Sequence, residues 1–175
     1  MKRHNRGVTL IELMVSITVV GILLGLSVPT FREFTRNNSV TAVQNELVTS
    51  FNLARSEALR RNRPVSVCAS ADGAACGDET TWQTGWLAFT DRGTAGTIDG
   101  DDVILQAWQN TNTTLTFLTT GPSYFVQYAS TGMSTAAMTI DVSWSDCTGL
   151  KKRRVAVTAT GAITGRIVDC AAALP

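Results

Sequence analysis

The sequence predicts an α+β protein in which one long N-terminal α-helix, its first half membrane-embedded, packs on an antiparallel β-sandwich-like head. Three observations lead there. Between Val8 and Val28 the only ionisable residue is Glu12, so an apolar block of membrane length opens the chain. Beyond Pro29 apolar residues recur at every third or fourth position, the period of a helix face. From Val65 the period falls to two, and β-branched and aromatic residues take over. A length of 175 residues suits one ordinary domain with an accessory element.

Charge and composition narrow the function. The formal charge of +1 conceals an asymmetry, because Lys2, Arg3 and Arg6 precede Gly7 and the chain without them carries −2. From Pro64 onward ten Asp and Glu outnumber six Lys and Arg. An acidic head offers no bulk attraction to nucleic acid, so a polyanion would need a local basic patch. The single histidine, His4, lies within the basic opening segment. Ser-His-Asp and Cys-His catalysis and imidazole-based zinc sites are thereby excluded from everything that follows it. With no GxSxG elbow either, the chain is expected not to be an enzyme, and no catalytic, cofactor or metal-binding residue is assigned.

Residues 1–7, MKRHNRG, form a basic leader. The apolar run 8–28 is about 21 residues, about 31 Å as a helix, which matches a bilayer core. It exceeds the apolar region of a secretory signal peptide and ends in Leu26-Ser27-Val28-Pro29 without a small-x-small cleavage site. A carboxylate such as Glu12 inside a membrane helix costs about 2.5–3.5 kcal/mol and calls for a partner. Gly21 and Gly25 have the GxxxG spacing of close helix approach. Ser16 and Thr18 are expected to bond the carbonyls of the preceding turn.

Residues 29–63 continue the helix in amphipathic form. Val40, Val43, Leu47, Phe51, Ala54 and Ala58 share one face, which is expected to pack on the head. Glu57 and Arg61 form an i,i+4 pair. Arg60, Arg61 and Arg63 suit a helix C-terminus, and Pro64 stops it. The whole reads as one helix of about 50 residues with a kink expected near Pro29.

Residues 64–175 form the head. Its expected strands are Val65–Cys68, Gly85–Thr90, Val103–Trp108, Leu115–Leu118, Tyr124–Tyr128, Ala137–Trp144, Arg153–Thr158 and Ile163–Val168. Turn chemistry separates them at Ala71-Asp72-Gly73, Gly93–Gly100, Gly121-Pro122, Ser130-Thr131-Gly132 and Thr160-Gly161. The four cysteines, Cys68, Cys76, Cys147 and Cys170, all follow the apolar block, which fits two disulfides in an oxidising compartment. Nearness in sequence favours Cys68–Cys76 and Cys147–Cys170 among the three connectivities. Buried free thiols are the alternative.

Arg6-Gly7-Val8-Thr9-Leu10-Ile11-Glu12 resembles the type IV prepilin signature, with Val8 where Phe more often follows the Gly. The resemblance implies cleavage by a prepilin peptidase between Gly7 and Val8, N-methylation of Val8, and a role for Glu12 in drawing subunits into a filament. Physical chemistry supports that role. An amino terminus buried in a helix bundle is a costly charge, and the Glu12 carboxylate of a neighbouring subunit compensates it. Ala54-Arg55-Ser56-Glu57-Ala58 with Arg61, Pro64-Val65-Ser66-Val67-Cys68, and Trp82 to Asp91 with the Gly/Asp-rich segment to Asp102 resemble the GspH/FimT group of minor pilins and pseudopilins. This implies a pilin/GspH-like fold and a low-abundance subunit that initiates or caps a type IV pilus or a type II secretion pseudopilus. It also implies other major and minor pilins or pseudopilins as partners. The expected location is the inner membrane, single-pass with the head in the periplasm, and then the filament.

Some FimT-like proteins serve DNA uptake through a C-terminal Gly-Arg-x-Arg element. Gly165-Arg166-Ile167-Val168 keeps its Gly and first Arg but has Val168 in place of the second. Lys151, Lys152, Arg153, Arg154 and Arg166 are therefore candidate DNA contacts, acting on phosphates without sequence preference. A solvated hairpin with a charged rim is the favoured alternative. Asp91, Asp99, Asp101 and Asp102 raise calcium, but Arg92, Gly93 and Ala95 break the alternation of oxygen ligands, and a plain Asp/Gly turn is preferred. Trp82, Trp86, Trp108 and Trp144 are expected in packing rather than on a stacking platform.

Overall fold

The computed structural model describes residues 7–110, 112, 114–121, 124–149 and 151–174, with side chains left undescribed at 26–30, 79 and 80. Helix α1 spans Leu10–Arg61, 52 residues, and is continuous through Pro29. Eight strands follow: β1 Val65–Ala69, β2 Gly85–Thr90, β3 Ile104–Gln109, β4 Leu115–Thr120, β5 Phe125–Tyr128, β6 Met138–Trp144, β7 Lys152–Val157 and β8 Ile163–Val168. Each expected strand is present, with ends displaced by two residues or fewer. A 3-10 turn at Glu79–Gln83 has no periodic signature in the sequence.

All strand pairings are antiparallel and build two four-stranded sheets, β3-β2-β1-β5 and β4-β6-β7-β8. Their inner faces share one core with α1. Val40, Val43, Leu47, Phe51, Ala54 and Ala58 meet Val65, Val67, Trp86, Ala88, Val126 and Tyr128 of the first sheet. Met138, Ile140, Val142, Val155 and Val157 of the second sheet join the same cluster. Full burial of a Leu or Phe side chain contributes about 1.5–3 kcal/mol, so this stripe carries much of the head's stability. Burial on the helix begins at Val40, whereas Phe31, Arg32 and Phe34 are exposed. The packing face is thus shorter than the whole 29–63 segment. The chain accordingly divides into two compact units, Met1–Asn38 and Ser39–Pro175.

At β1 and β2 the first sheet is buried on both faces, whereas its edge strand β3 is largely exposed. Cys68, Leu87 and Phe89 point away from the helix and pack with Cys76, Ile98 and Phe125. The Cys68–Cys76 disulfide, with Cα atoms 5.6 Å apart, ties the intervening loop over that outer face. Trp82 and Trp86 are fully buried, with Trp82 6.3 Å from Phe51 and Trp86 stacked on Trp108 at 6.4 Å. Neither ring is available as a stacking platform.

The end of α1 is locked by close backbone approach. Arg55 Nε donates to Gly132 O at 3.0 Å. Gly161, at φ +77°, lies so near that an added Cβ would stand 2.0 Å from the same carbonyl. Gly161→Ala therefore combines left-handed strain with a backbone clash, and a loss of about 2 kcal/mol or more is expected in urea denaturation.

At the helix C-terminus Glu57 bonds Arg60 at 2.6 and 3.0 Å and Arg61 at 2.5 Å. These bonds, Arg60 first and then Arg61, lower the Glu57 pKa from 4.5 to about 2. A carboxylate depressed on folding stabilises above its unfolded pKa and loses that contribution as pH falls through the folded one. The gap in stability between wild type and Glu57→Gln is expected to shrink between pH 4.5 and about 2. Exposure keeps its size to about 1 kcal/mol or less, readable from urea midpoints across that range.

Candidate functional site

The helix N-terminus is built by four residues of the signature itself. Thr9 precedes the first helical residue, and its hydroxyl accepts the Glu12 N–H at 3.3 Å while its carbonyl accepts the Leu13 N–H at 3.2 Å. Thr9-Leu10-Ile11-Glu12 is thus the start of a capping box, with Glu12 at the position whose negative charge the helix dipole favours. The Thr-x-x-Glu spacing is legible in the sequence, and capping is a role of Thr9 beyond the assembly role expected of Glu12. Its carboxylate is exposed and has no charged partner among the described residues.

Around it the apolar side chains from Val8 to Leu24 are uncovered, between 49 and 78% exposed. Ser16 donates to Glu12 O at 2.7 Å and Thr18 to Met14 O at 2.8 Å, so both hydroxyls are satisfied within the helix. Gly7 and Val8 are exposed and precede the helix. Among the described residues no helix is long and apolar enough to cross a membrane. The expected 8–28 span takes in residues 26–28, whose side chains lie outside that description, as does most of the leader.

The second region is the outer face of the second sheet. The pairing of β7 with β8 sets Arg154 opposite Arg166, and that of β6 with β7 sets Asp141 opposite Arg154. Arg154 grips Asp141 with two bonds of 2.7 Å, and Lys152 Nζ lies 3.2 Å from the same carboxylate. Asp141, Lys152 and Arg154 are only 1, 4 and 5% exposed. The Asp141 carboxylate holds the Arg154 guanidinium above its ordinary pKa.

This corrects the expected row of phosphate contacts. Lys152 and Arg154 are consumed inside the head, because residues two apart on a strand share a face and this face is covered. Arg153 turns to the helix side, where its Nε meets Thr41 Oγ1 at 3.3 Å. Arg166 is exposed and Lys151 half-exposed. The favoured solvated rim also fails for Lys152 and Arg154. Gly165 has a packing role, since an added Cβ would stand 2.8 Å from Gln44 Nε2. That amide reaches Arg154 O and Arg166 O at 3.4 and 3.5 Å.

The acidic turn spends its carboxylates on its own backbone. Buried Asp91 accepts from Ser66 Oγ and from Gly96 N–H at 2.8 Å. Asp99 accepts from Thr94 N–H at 3.0 Å, and Asp102 from Arg92 and Asp99 N–H at 3.0 and 3.2 Å. Among the described residues no group of three Asp, Glu, Cys or His side chains is placed to hold a metal ion.

Residues 43–161 match the family model described as type II transport protein GspH, which covers the shared core of helix and both sheets. The chain belongs to the GspH family. Its first residues, 2–28, also match the prokaryotic N-terminal methylation motif. The GspH-family fold is shared with the type IV minor pilin FimU of Pseudomonas aeruginosa, whose P21 crystal structure gives a TM-score of 0.59 at 20% identity, over 76% of this chain and 92% of that one. Its P65 form gives 0.55 at 20% identity, over 72 and 91%. The minor pseudopilin EpsH from the Type 2 Secretion System of Vibrio cholerae gives 0.49 at 14% identity, over 76 and 98%. Comparison with curated proteins finds no match.

Removing the Asp141 carboxylate would strand two buried cations. Asp141→Ala is expected to cost about 3–5 kcal/mol, and Arg166→Ala, on the exposed edge strand, within about 0.5 kcal/mol. Urea denaturation of the two variants side by side measures the contrast.

Proposed function

We propose that this GspH-family chain is a minor pilin or pseudopilin that enters a type IV pilus or type II secretion pseudopilus at its initiation or tip. Prepilin peptidase removes residues 1–7, Val8 becomes the methylated amino terminus, and the apolar half of α1 resides in the inner membrane until the subunit joins other pilins. The observation that carries this reading is Glu12, an exposed carboxylate without a charged partner among the described residues, one turn into a helix whose apolar side chains from Leu10 to Leu24 are uncovered. A lone carboxylate in lipid is costly. An amino terminus from the next subunit relieves that cost and its own at once, so stacking is favoured over solitary residence in the bilayer.

DNA capture is the weaker reading. Of its five candidate contacts, Lys152 and Arg154 are committed to Asp141 and Arg153 turns to Thr41 on the helix side, in a head that is acidic. Capping adds a second, smaller duty to Thr9, whose replacement by Ala would cost the helix about 0.5–2 kcal/mol.

Mass spectrometry of the protein from its native membrane is expected to show a chain beginning at N-methylated Val8. Glu12→Ala is expected to abolish incorporation into sheared filaments, while the membrane-associated level and the processed N-terminus stay unchanged. A chain that retains Gly7, or a variant recovered in filaments at the wild-type level, would contradict the assembly reading.

A further inference from the structure

The outer face of the second sheet is closed by residues 169–174, a segment with no strand of its own. One carboxylate faces two cations there, so the buried trio of Asp141, Lys152 and Arg154 carries a net positive charge. Buried cations need every donor satisfied, and the remaining donors are met by the tail. Lys152 Nζ donates to Ala172 O at 2.6 Å, and Arg154 Nη2 donates to Ala173 O at 2.9 Å.

Among the described residues of the tail Ala171 and Ala173 are exposed while Ala172 and Leu174 are half-buried, so hydrophobic burial holds it only in part. Asp169 Oδ1 accepts the Ala171 N–H at 2.8 Å, and Asp169 O accepts the Ala172 N–H at 3.0 Å. Both are bonds within the tail itself. Its anchor to the sheet is Cys170, which bonds Gly149 O through its N–H at 2.8 Å and is disulfide-linked to Cys147, with Cα atoms 5.7 Å apart. Both cysteines of this bridge are half-buried, whereas Cys68 of the other is fully buried. Cys76 is half-buried too, so the C-terminal bridge differs in presenting both of its sulfurs to exchange with a second protein's thiols.

We propose that the Cys147–Cys170 disulfide is a redox latch on the C-terminal tail: closed, it seals Lys152 and Arg154 beneath residues 169–174, and open, it releases the tail and exposes both cations beside Arg166. Closing oxidises two thiols to one disulfide, with two electrons and two protons passing to a disulfide-bearing oxidant that leaves as a dithiol. A dithiol reductant reverses it. The bond keeps the two tail carbonyls at high effective concentration over the cations, and without it their capture must offset the ordering of a free chain end. The use of such a latch rests on the periplasmic placement of the head, where a newly inserted chain meets oxidant. The test below does not involve filaments, so its failure leaves the assembly reading untouched.

Lys2, Lys151 and Lys152 are the only lysines in the sequence, which makes amine labelling a residue-specific probe. The full chain, in detergent micelles, is treated with an amine-acylating reagent, and Lys152 modification is followed by peptide mass spectrometry. In the Cys147→Ser/Cys170→Ser double variant the rate at Lys152 is expected to rise about tenfold or more over the oxidised wild type. The near-ultraviolet signal of the buried tryptophans stays the same. A chain ending at Asp169 is expected to label as fast as the double variant. An unchanged Lys152 rate in both variants would overturn the latch. So would loss of the tryptophan signal in the double variant, because the bond would then hold the whole head and not the tail.

Discussion

Both sheets depend on one stripe of α1. The residues from Val40 to Ala58 are the common floor of the core, and the inner faces of the two sheets close on that floor without forming a ladder with each other. A helix lets side chains three and four apart line up, so six apolar positions of α1 share one core with the inner faces of both sheets. This constraint explains why the polar residues set into the stripe are all bonded. Gln44 serves the carbonyls of β7 and β8, Ser50 bonds Leu47 O at 2.8 Å, and Arg55 serves the turn at Gly132. A buried polar group is costly without a partner, and these three find theirs in backbone carbonyls of the helix, the sheet and the turn.

The outer faces are solved differently from the inner one. Among the described residues no second α-helix covers either outer face, and irregular chain stapled with a disulfide lies over each instead. On the first sheet the cover is apolar and rests on Cys68, Leu87 and Phe89. On the second it is polar, with cations bonded to a carboxylate and to two tail carbonyls. The polar version depends on geometry, since replacing well-paired ions with apolar groups is often neutral while removing one partner is costly. The same cations that read as a nucleic-acid patch in the sequence are thereby spent on holding the chain together.

The N-terminal unit is governed by the opposite situation. Its apolar side chains from Val8 to Leu24 are uncovered, Glu12 is without a charged partner among the described residues, and its local bonds are satisfied by Thr9, Ser16 and Thr18 within the helix. Uncovered apolar side chains on a helix whose local bonds are met are the condition under which lipid or neighbouring helices supply the missing surface. The match to the N-terminal methylation motif falls on this unit and the match to the GspH family model on the other.

The sequence by itself determined whatever depends on neighbours along the chain. The helical face from Val40 to Ala58, the eight strands, the stop at Pro64, the favoured cysteine pairs and the signature around Gly7 and Glu12 are all short-range patterns, governed by periods of 3.6 and 2 and by turn chemistry. Tertiary structure alone decided which charges are spent. Arg154 is buried because Asp141 lies opposite it in the β6–β7 register and the tail returns over both. At Gly165 an added Cβ would meet the amide of Gln44 from the helix, which would have to shift. Strand alternation says that Lys152 and Arg154 share a face, but whether that face meets water or protein is set by segments remote in sequence, and no local pattern encodes their arrival.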